Sequence, residues 1–517
     1  MRTRRVRRPG PVVASALALL TAVAPLATPT SRAEASPTMR AEAASATRAE
    51  AASATRAEAA SALRVEAAPA QAPAAPGDGI PPLTDDDGRT LTLRGWNLAD
   101  KDHRADRALE DITERHLRDL SARGFDFARL AVFWDDLEPR PGRYSERYLR
   151  KIERILDWAA RYRVRVVIDA HQDVYGPAFG GHRGIPEWAT RTDGLPYRPH
   201  PDDWFAEYFE PGVQAAFEHL YEDADLRRAQ QRMWRVLAGR LAGHPAVYGY
   251  DLINEPMGRL RPGEDLPAAA RRVEATQVTP MYDRLVAAIR SVDRKHRIFV
   301  EPTPVVGEGV PTSLGRVEDP AGRIVYTPHF YETSMETGAD YDPAARWIER
   351  YEAAVVRYPR ERRIPVVVGE WGPPDSSLPN MGRYYADALA SLDRYGSGWA
   401  GWTWCYGGGY CALDREGRFR RHKEETARPY APAVAGDVRH TSYDARDGVF
   451  RLEYTASAAA GGRTDLTLPP APHGWRVTVT GPARPDATRV RPGERGRLTI
   501  RARPGAVIEV AARRLGS

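Results

Sequence analysis

Apolar runs alternate with amphipathic stretches between residues 90 and 406. The runs are short and rich in Val, Ile, Phe, Tyr and Trp, and most stretches between them place apolar residues at helical spacing. Nearly continuous apolar runs indicate strands buried on both faces, as in a parallel sheet covered by helices. The predicted strands are 90–98, 127–134, 164–173, 247–253, 297–303, 324–332, 364–372 and 398–406. Eight such units predict an α/β fold, a (β/α)8 TIM barrel, whose active site lies at the carboxyl ends of its strands.

Beyond residue 430 the period of the pattern changes to two. The segments are "VFRLEYT", "TDLTLP", "WRVTVTG", "RLTIRA" and "AVIEVAA", and Pro and Gly turns separate them. Short alternating strands of this kind are typical of a β-sandwich. We therefore expect a catalytic barrel over residues 81–430 and a β-sandwich domain over residues 431–517.

The amino-terminal region has the composition of an export signal. "MRTRRVRRPG" is strongly basic, the apolar stretch after it is too short to span a bilayer comfortably, and "AEA" at 33–35 offers small residues for cleavage. Residues 1–35 are predicted to be a signal peptide, and the mature protein to be secreted without a transmembrane segment. Residues 36–80 repeat "RAEAASAT" before a Pro-rich stretch, which predicts a disordered Ala/Pro-rich spacer.

Charge and cysteine content narrow the function classes. The formal charge is +6, and six Arg and one Glu in residues 1–35 contribute +5, so 6 − 5 leaves +1 on the rest. No nucleic-acid partner is therefore expected. Cys405 and Cys411 are predicted to form a disulfide in an exported protein, with two free thiols as the alternative. Neither a metal nor a cofactor is expected, since zinc needs three or four ligands and none is spaced near this pair.

Two carboxylates are predicted to meet at the catalytic end of the barrel. Glu255 ends the fourth strand in "LINEP", and Glu370 lies at the same end of the seventh strand in "VVVGEWG". A pair of carboxylates facing one pocket can hydrolyse a glycosidic bond, with retention when they are about 5–5.5 Å apart. The alternative is that each glutamate forms a salt bridge in the barrel mouth.

These motifs resemble glycoside hydrolase family 5, the cellulase-like clan of retaining β-glycosidases. The resemblance runs through the whole barrel and is strongest to the endoglycoceramidase subgroup, which hydrolyses the β-bond between glycan and ceramide in glycosphingolipids. It is carried by "DAHQDVYG", "GLPYRPHPDDWFAEYFEPGVQAAF", "YDLINEPMG" and "VVGEWG", with "FARLAVFW" and "PHFY" where the family keeps further site residues.

The resemblance implies a role for each catalytic residue. Glu370 is expected to be the nucleophile, held in its charged form by Arg129 and Tyr331. Glu255 is expected to be the acid/base, and Asn254 to bind the sugar 2-hydroxyl.

Further residues are expected to bind the sugar. His171 and Asp173 would contact other hydroxyls, His329 would shape the pocket, and Lys101 resembles the subgroup's sugar-binding lysine. Trp402, or as second choice Trp404, would provide an apolar platform for the ring. The alternatives are core packing for the tryptophans, a structural ion pair for Lys101 and Asp173, and a satisfied strand-end histidine for His171.

A long aromatic insertion at residues 174–213 follows the third strand. It is expected to build the substrate site, or else to pack on itself over the barrel rim. Together these features predict a secreted, monomeric retaining β-glycosidase that acts on glycosphingolipids. The alternatives are an endoglucanase or other oligosaccharide β-glycosidase using the same two glutamates, and a carbohydrate- or lipid-binding protein that has lost catalysis.

Overall fold

The computed structural model describes residues 79–201 and 203–516. The predicted signal peptide and almost all of the predicted spacer lie outside the described residues. Ten strands belong to the first part of the described chain: β1 (Thr90–Leu91), β2 (Leu93–Leu98), β3 (Phe127–Val132), β4 (Arg165–Ala170), β5 (Val247–Asp251), β6 (Arg297–Val300), β7 (Ile324–Tyr326), β8 (His329–Phe330), β9 (Glu370–Trp371) and β10 (Gly398–Gly401).

Seven of these strands form one parallel sheet. Its order is β10-β2-β3-β4-β5-β6-β7, so each strand from β2 to β7 pairs with its neighbour in sequence. The segment that ends in β9 closes the ring, because Tyr326 bridges Val366, Val368 bridges Trp399 and β8 pairs with β9. The predicted TIM-barrel fold is confirmed, with its seventh strand reduced to bridges and a two-residue pairing.

The predicted first strand, 90–98, divides into two strands. Only β2 enters the barrel, whereas β1 pairs antiparallel with a strand of the carboxyl-terminal domain, Leu91 opposite Ala433. The sixth predicted strand also divides, into β7 and β8 around Pro328, which has no N–H to donate to a ladder.

The described part of the barrel also has α-helices, most of which cover its outside. They are α1 (Glu114–Ala122), α2 (Trp134–Leu137), α3 (Glu146–Tyr162), α4 (Pro211–Glu222), α5 (Ala224–Leu241), α6 (Leu266–Val273), α7 (Thr279–Arg290), α8 (Thr333–Glu336), α9 (Trp347–Arg362) and α10 (Met381–Tyr395), and a π-helical turn (Glu274–Val278) joins α6 to α7. In α3, Ser145 accepts the N–H of Tyr148 as the N-cap, and the buried Leu149, Ile152 and Leu156 recur at helical spacing. The helix thus presents one apolar face to the barrel.

The carboxyl-terminal domain consists of two antiparallel sheets. Its strands are β11 (Tyr430–Val434), β12 (Gly436–Asp444), β13 (Val449–Ala456), β14 (Arg463–Leu468), β15 (Trp475–Thr480), β16 (Ala483–Pro485), β17 (Arg489–Val490), β18 (Gly496–Ala502) and β19 (Val507–Arg514). The sheet orders are β1-β11-β14-β18-β16 and β12-β13-β19-β15-β17. Buried residues alternate with exposed ones along β13 and β18, and the inner faces share one apolar core. The predicted β-sandwich is confirmed.

An apolar cluster fills the amino-terminal end of the barrel. It contains Leu83, Leu91, Leu93, Phe127, Val167, Phe299, Val325, Val367, Ala400 and Ala433. Ala433 comes from β11, so the sandwich contributes directly to this barrel floor. Within the described residues, none of the helices combines the length and the apolar character that crossing a bilayer requires.

Candidate active site

Two glutamates face each other at the carboxyl end of the barrel. Glu255 follows β5 after a short connection, and Glu370 begins β9. A carboxylate oxygen of one lies within 4.8 Å of a carboxylate oxygen of the other. Retaining glycosidases hold their carboxyl groups about 5–5.5 Å apart, whereas inverting enzymes leave about 6.5–9.5 Å for a water molecule. The arrangement therefore fits attack by one carboxylate and proton transfer by the other.

Arg129, on β3, ties Glu370 to the barrel interior. Its Nη1 donates to Glu370 Oε1 at 2.6 Å, and the side chain is buried. Burial opposes the charge, but the surrounding carboxylates raise the pKa of the guanidinium well above its ordinary value, so it is a fixed cation. Its other partners are Asn97 Oδ1 (3.1 Å), Asp169 (3.0 Å), Asp251 (2.8 Å), Asn254 Oδ1 (3.0 Å) and Glu301 (2.7 Å).

Tyr331 holds the second oxygen of Glu370. Its hydroxyl donates to Glu370 Oε2 at 3.0 Å. Burial and the adjacent Glu370 raise the pKa of Tyr331 well above its ordinary value, so it stays a donor. With Arg129 on Oε1, both oxygens of Glu370 accept hydrogen bonds, which orients this carboxylate as a nucleophile.

Glu255 lies in an environment suited to an acid. Burial raises the pKa of its carboxyl, the negative charges of Glu370 and Glu301 raise it further, and a hydrogen bond from His329 opposes them. The His329 Nδ1 lies 2.9 Å from Glu255 Oε1. A carboxyl that keeps its proton above the ordinary range can protonate a departing oxygen.

Asn254 and Glu255 are adjacent in the chain, and both line the cavity. Asn254 Oδ1 accepts from Arg129, and its Nδ2 donates to the main-chain oxygen of Gln172 at 3.0 Å. The side-chain amide of Asn254 is thereby fixed beside both glutamates. A contact of this amide with the sugar 2-hydroxyl is what the resemblance to family 5 implies.

A second group of predicted residues forms the opposite wall. Lys101 and Asp173 pair at 2.9 Å, and Lys101 Nζ lies 4.4 Å from the centroid of the Trp402 ring. His171 stacks on Trp402 with centroids 5.5 Å apart and 8° between the planes, and its Nδ1 lies 2.7 Å from Asp169. Burial opposes the charge of His171, but Asp169 raises its pKa to about 9. Lys101, Asp173 and the Trp402 ring therefore form a polar and aromatic wall of the cavity, and His171 supports it by stacking on Trp402.

Trp404 occupies a different position from Trp402. Its side chain packs against Trp96 and Phe125, with ring centroids 5.7 Å away in each case, and its indole N–H donates to the main-chain oxygen of His116 at 3.0 Å. Only 1% of Trp404 is exposed. Most of this ring is therefore packed in the core, as the alternative expected, although Trp404 and Trp402 both border the cavity. The platform role of Trp402 stays a prediction.

The insertion at 174–213 divides between packing and cavity wall. Tyr175 is buried against Phe217 at 5.2 Å, so part of the segment covers the barrel rim. Trp204 and Phe205 line the same cavity of about 620 Å³ as the two glutamates, and Trp204 is 39% exposed. The insertion thus adds apolar surface beside the polar groups.

The sulfur atoms of Cys405 and Cys411 lie 2.02 Å apart, at bonding distance. The loop that they close carries Tyr410 to the cavity, where its hydroxyl donates to Glu336 on α8. Burial raises the pKa of Glu336 to about 8. This loop therefore forms a further wall, made by a stretch after β10.

Several polar residues of the network were missed in the sequence. Asn97, Asp169, Asp251 and Glu301 are all at most 1% exposed, and all surround Arg129. Each lies near the carboxyl end of an otherwise apolar strand, which is the same signal that identified Glu255. In particular, Glu301–Pro302 repeats the pattern of Glu255–Pro256.

Two family models match the chain in the order of its domains. The model described as Cellulase (glycosyl hydrolase family 5) matches residues 84–408, and the Glycoside hydrolase family 5 C-terminal domain matches residues 428–510. The chain belongs to glycoside hydrolase family 5. Together with the glutamate spacing, membership of family 5 makes the protein a retaining glycoside hydrolase.

The relatives and solved structures that this chain resembles include enzymes named for ceramide glycosides. An endoglycoceramidase of Hydra vulgaris is 28% identical over 395 residues, 69% of this chain and 72% of the relative. Endo-glycoceramidase II from Rhodococcus sp., solved as a ganglioside GM3 complex, has a TM-score of 0.75 and 29% identity and covers 84% of this chain and 100% of its own. A solved endogalactoceramidase has a TM-score of 0.65 and 25% identity, covering 85% and 99%. The resemblance to the endoglycoceramidase subgroup is thus confirmed.

Proposed function

We propose that this family 5 enzyme is secreted and hydrolyses the β-bond between glycan and ceramide in glycosphingolipids. The observation that carries the proposal is one cavity in which Glu255 and Glu370 lie together with polar groups and the apolar side chains of Trp204 and Phe205. An amphipathic substrate needs both kinds of surface. The names of relatives that match most of the chain support the same substrate class.

In the first step Glu370 attacks the anomeric carbon. Arg129 and Tyr331 aim its two oxygens, while Glu255 gives its proton to the glycosidic oxygen. The bond from the anomeric carbon to that oxygen breaks, ceramide leaves as the alcohol, and an ester joins the sugar to Glu370. The configuration at the anomeric carbon is inverted once.

In the second step Glu255 acts as the base. Formation of the ester removes the negative charge of Glu370, which is one of the groups that raise the pKa of Glu255, so the carboxyl is now deprotonated more easily. Glu255 takes a proton from water, the oxygen attacks the anomeric carbon, and the bond to Glu370 breaks. The second inversion gives overall retention.

The opposite wall orients the sugar during both steps. Burial opposes the charge of Asp173, but Lys101 and His171 lower its pKa below the ordinary range, so its carboxylate is charged and accepts hydrogen bonds from hydroxyls. Lys101 supplies donors, and Trp402, which lines the cavity, offers apolar ring surface beside them. The pair Lys101–Asp173 thus binds substrate as well as each other.

Export rests on the amino-terminal composition and on the closely spaced cysteines. Amino-terminal sequencing of protein recovered from culture medium checks it: cleavage after Ala35 is expected, and retention of the full chain in the cytoplasm would contradict export. The expected monomer stays a prediction, checked by light scattering.

The substrate is tested by identifying products by mass spectrometry. The purified protein is incubated separately with glucosylceramide, a longer ganglioside and a β-glucan, with Glu370→Ala as the inactive control. We expect free ceramide and an intact glycan from at least one glycolipid, and β-configured product at first appearance by NMR. Cleavage of the β-glucan alone would replace the proposal with the endoglucanase alternative.

A further inference from the structure

Glu301 is a buried carboxylate that the two-glutamate mechanism does not use. It follows β6 directly, is 1% exposed and is not among the residues that line the cavity. Its main-chain oxygen accepts a hydrogen bond from the Tyr282 hydroxyl at 2.8 Å, which fixes its backbone against α7. Any effect of Glu301 on catalysis must therefore pass through other residues.

The side chain of Glu301 reaches the proposed acid by two routes. Its Oε2 accepts the main-chain N–H of Glu255 at 2.7 Å. Its Oε1 lies 3.3 Å from His329 Nε2, and the other nitrogen of that ring lies 2.9 Å from Glu255 Oε1. Glu301 thus contacts the main-chain N–H of Glu255 directly and its carboxyl indirectly, through the His329 ring.

The first route matters because the backbone of Glu255 is unusual. Its φ is +43°, in the left-handed region that residues with a Cβ seldom adopt. Strained positions of this kind persist only where the surroundings hold them. The hydrogen bond from the Glu255 N–H to Glu301 is one contact that holds this conformation.

The second route concerns the charge on His329. Burial opposes that charge, but Glu301 and Glu370 raise the pKa of the ring well above its ordinary value. The groups that face the ring are the carboxyls of Glu301 (3.3 Å), Glu255 (2.9 Å) and Glu370 (3.8 Å) and the ring of Tyr331 (6.3 Å between centroids). A ring with both nitrogens protonated donates from Nδ1 to Glu255 and carries the positive charge that pairs with Glu301.

We propose that Glu301 is a positioning residue for proton donation: it fixes the backbone of Glu255 and keeps His329 doubly protonated, so that the ring binds Glu255 Oε1. The other oxygen, Oε2, then carries the proton that is given to the departing oxygen. The proposal rests on Glu255 being the acid of the proposed function. Glu301 also accepts from Arg129, so its role must be separated from that of a simple counterion.

The chain offers a matched control in Asp169. Asp169 Oδ1 and Glu301 Oε1 both contact Arg129 Nη2, at 3.0 Å and 2.7 Å, and both side chains are fully buried. Asp169 pairs with His171 instead of His329. Glu301→Gln and Asp169→Asn therefore each remove one carboxylate from the same guanidinium, but only the first touches the acid.

The protonation of His329 is measured by nitrogen NMR of the imidazole, with the resonance assigned by its loss in His329→Gln. In the unchanged protein we expect the ring to stay doubly protonated through neutral pH. In Glu301→Gln its titration should move to lower pH, because a neighbouring negative charge has been lost, whereas Asp169→Asn should leave it in place. A ring already neutral at pH 7 in the unchanged protein would overturn the proposal even if no variant folds.

Catalysis is measured with two lactosides that differ in their need for an acid. An alkyl β-lactoside requires protonation of its leaving oxygen, whereas 2,4-dinitrophenyl β-lactoside does not. Glu301→Gln should lower kcat/KM about 100-fold on the first and less than about tenfold on the second, since acid catalysis contributes about 10²–10⁴-fold. Asp169→Asn should lower both by the same factor.

Equal losses in Glu301→Gln, with an unshifted His329 titration, would make Glu301 only a counterion of Arg129. If Glu301→Gln does not fold, Glu301→Asp keeps the charge but shortens the side chain. It should retain the His329 titration and lose activity mainly on the alkyl lactoside, and an equal loss on both would again overturn the proposal. Neither lactoside contains ceramide, so these results are independent of whether glycolipids are the substrate. An unchanged protein inactive on the dinitrophenyl β-glycosides of lactose, glucose and galactose alike would refute the glycosidase assignment instead.

Discussion

The two ends of the barrel are built from the same strands but differ in chemistry. Phe127 on β3 belongs to the apolar floor, and Arg129, two residues later, lies at the centre of the catalytic network. Phe299 on β6 and Glu301 just after it repeat this arrangement. Since side chains two residues apart point to the same face of a strand, each pair faces the interior in successive layers. The apolar layer stabilises the fold by excluding water, and the charged layer above it positions the catalytic groups.

The largest expected effect on activity comes from removing the catalytic carboxylates at the mouth, the carboxyl end of the barrel strands where the cavity lies. Glu370→Ala and Glu255→Ala should each lower kcat on a glycoside with a poor leaving group by at least about 10³-fold, with little change in melting temperature. With an activated leaving group, azide should rescue Glu255→Ala with a retained β-glycosyl azide and Glu370→Ala with an inverted one. The opposite stereochemical pairing, read by NMR, would exchange the two roles.

Substitutions in the apolar floor should have the opposite effect, reducing stability and leaving turnover nearly unchanged. Leu91 is 1% exposed and lies in β1, at the end of the barrel away from the glutamates. Leu91→Ala should lower the free energy of unfolding by about 2–5 kcal/mol, because a buried cavity is left, while kcat of the folded fraction stays within about twofold. Urea titration and active-site-normalised kinetics measure the two quantities.

Tyr331→Phe, at the catalytic end of the barrel, is the counterpart of Leu91→Ala at the floor, because it should reduce activity more than stability. It removes one hydrogen bond to Glu370 and should lower kcat/KM by about tenfold while changing stability by about 1 kcal/mol. If Leu91→Ala impaired turnover as much as Tyr331→Phe, the division of labour between floor and mouth would be wrong.

A smaller and more selective effect is expected at the apolar rim of the mouth. Replacing Trp204 and Phe205 by Ser should lower kcat/KM on a ceramide glycoside about tenfold more than on a short aryl β-glycoside. Each buried methylene contributes about 0.8 kcal/mol, so a few sequestered carbons account for this difference. Substrates are compared in defined mixed micelles, so that aggregation does not imitate weak binding. Equal losses on both substrates would indicate general disruption of the insertion.

The most local effect is expected from the cysteine loop. Peptide mapping without reduction should find Cys405 linked to Cys411, and complete alkylation of the unreduced protein would contradict this. Because the closed loop is short, replacing both by Ser should cost no more than about 2 kcal/mol. Hydrogen exchange should increase mainly around Tyr410, which identifies the loop as part of the mouth and not of the floor.

The sequence predicted the features that repeat along the chain. Alternating strands and helices identified the barrel, and Glu255 and Glu370 were found because carboxylates rarely end apolar strands without a reason. Glu301 shows the same pattern, followed by Pro302, but its strand lacked a family motif and it was missed. Its significance depends on contacts with Arg129 and His329, and those come from strands distant in the chain.

Other features could not be obtained from local pattern. The division of strand 90–98 follows from a partner more than 300 residues away, since Leu91 pairs with Ala433. Trp402 and Trp404 lie in the same apolar run, and only the backbone path decides that Trp402 lies beside His171 while Trp404 packs on Trp96. Burial of an aromatic residue is readable from sequence, whereas the side from which it is buried is not.

The pairing of β1 with β11 also fixes an order of events during synthesis. Residues 90 and 91 leave the ribosome early, but their strand partner, residues 433 and 434, follows only after the entire barrel. Until then Leu91 lacks its strand partner and is covered only by the other residues of the floor cluster, and closing so long a loop carries an entropic cost before any contact is gained. A chain that stops at residue 429 would therefore leave strand β1 without its partner and remove Ala433 from the floor cluster.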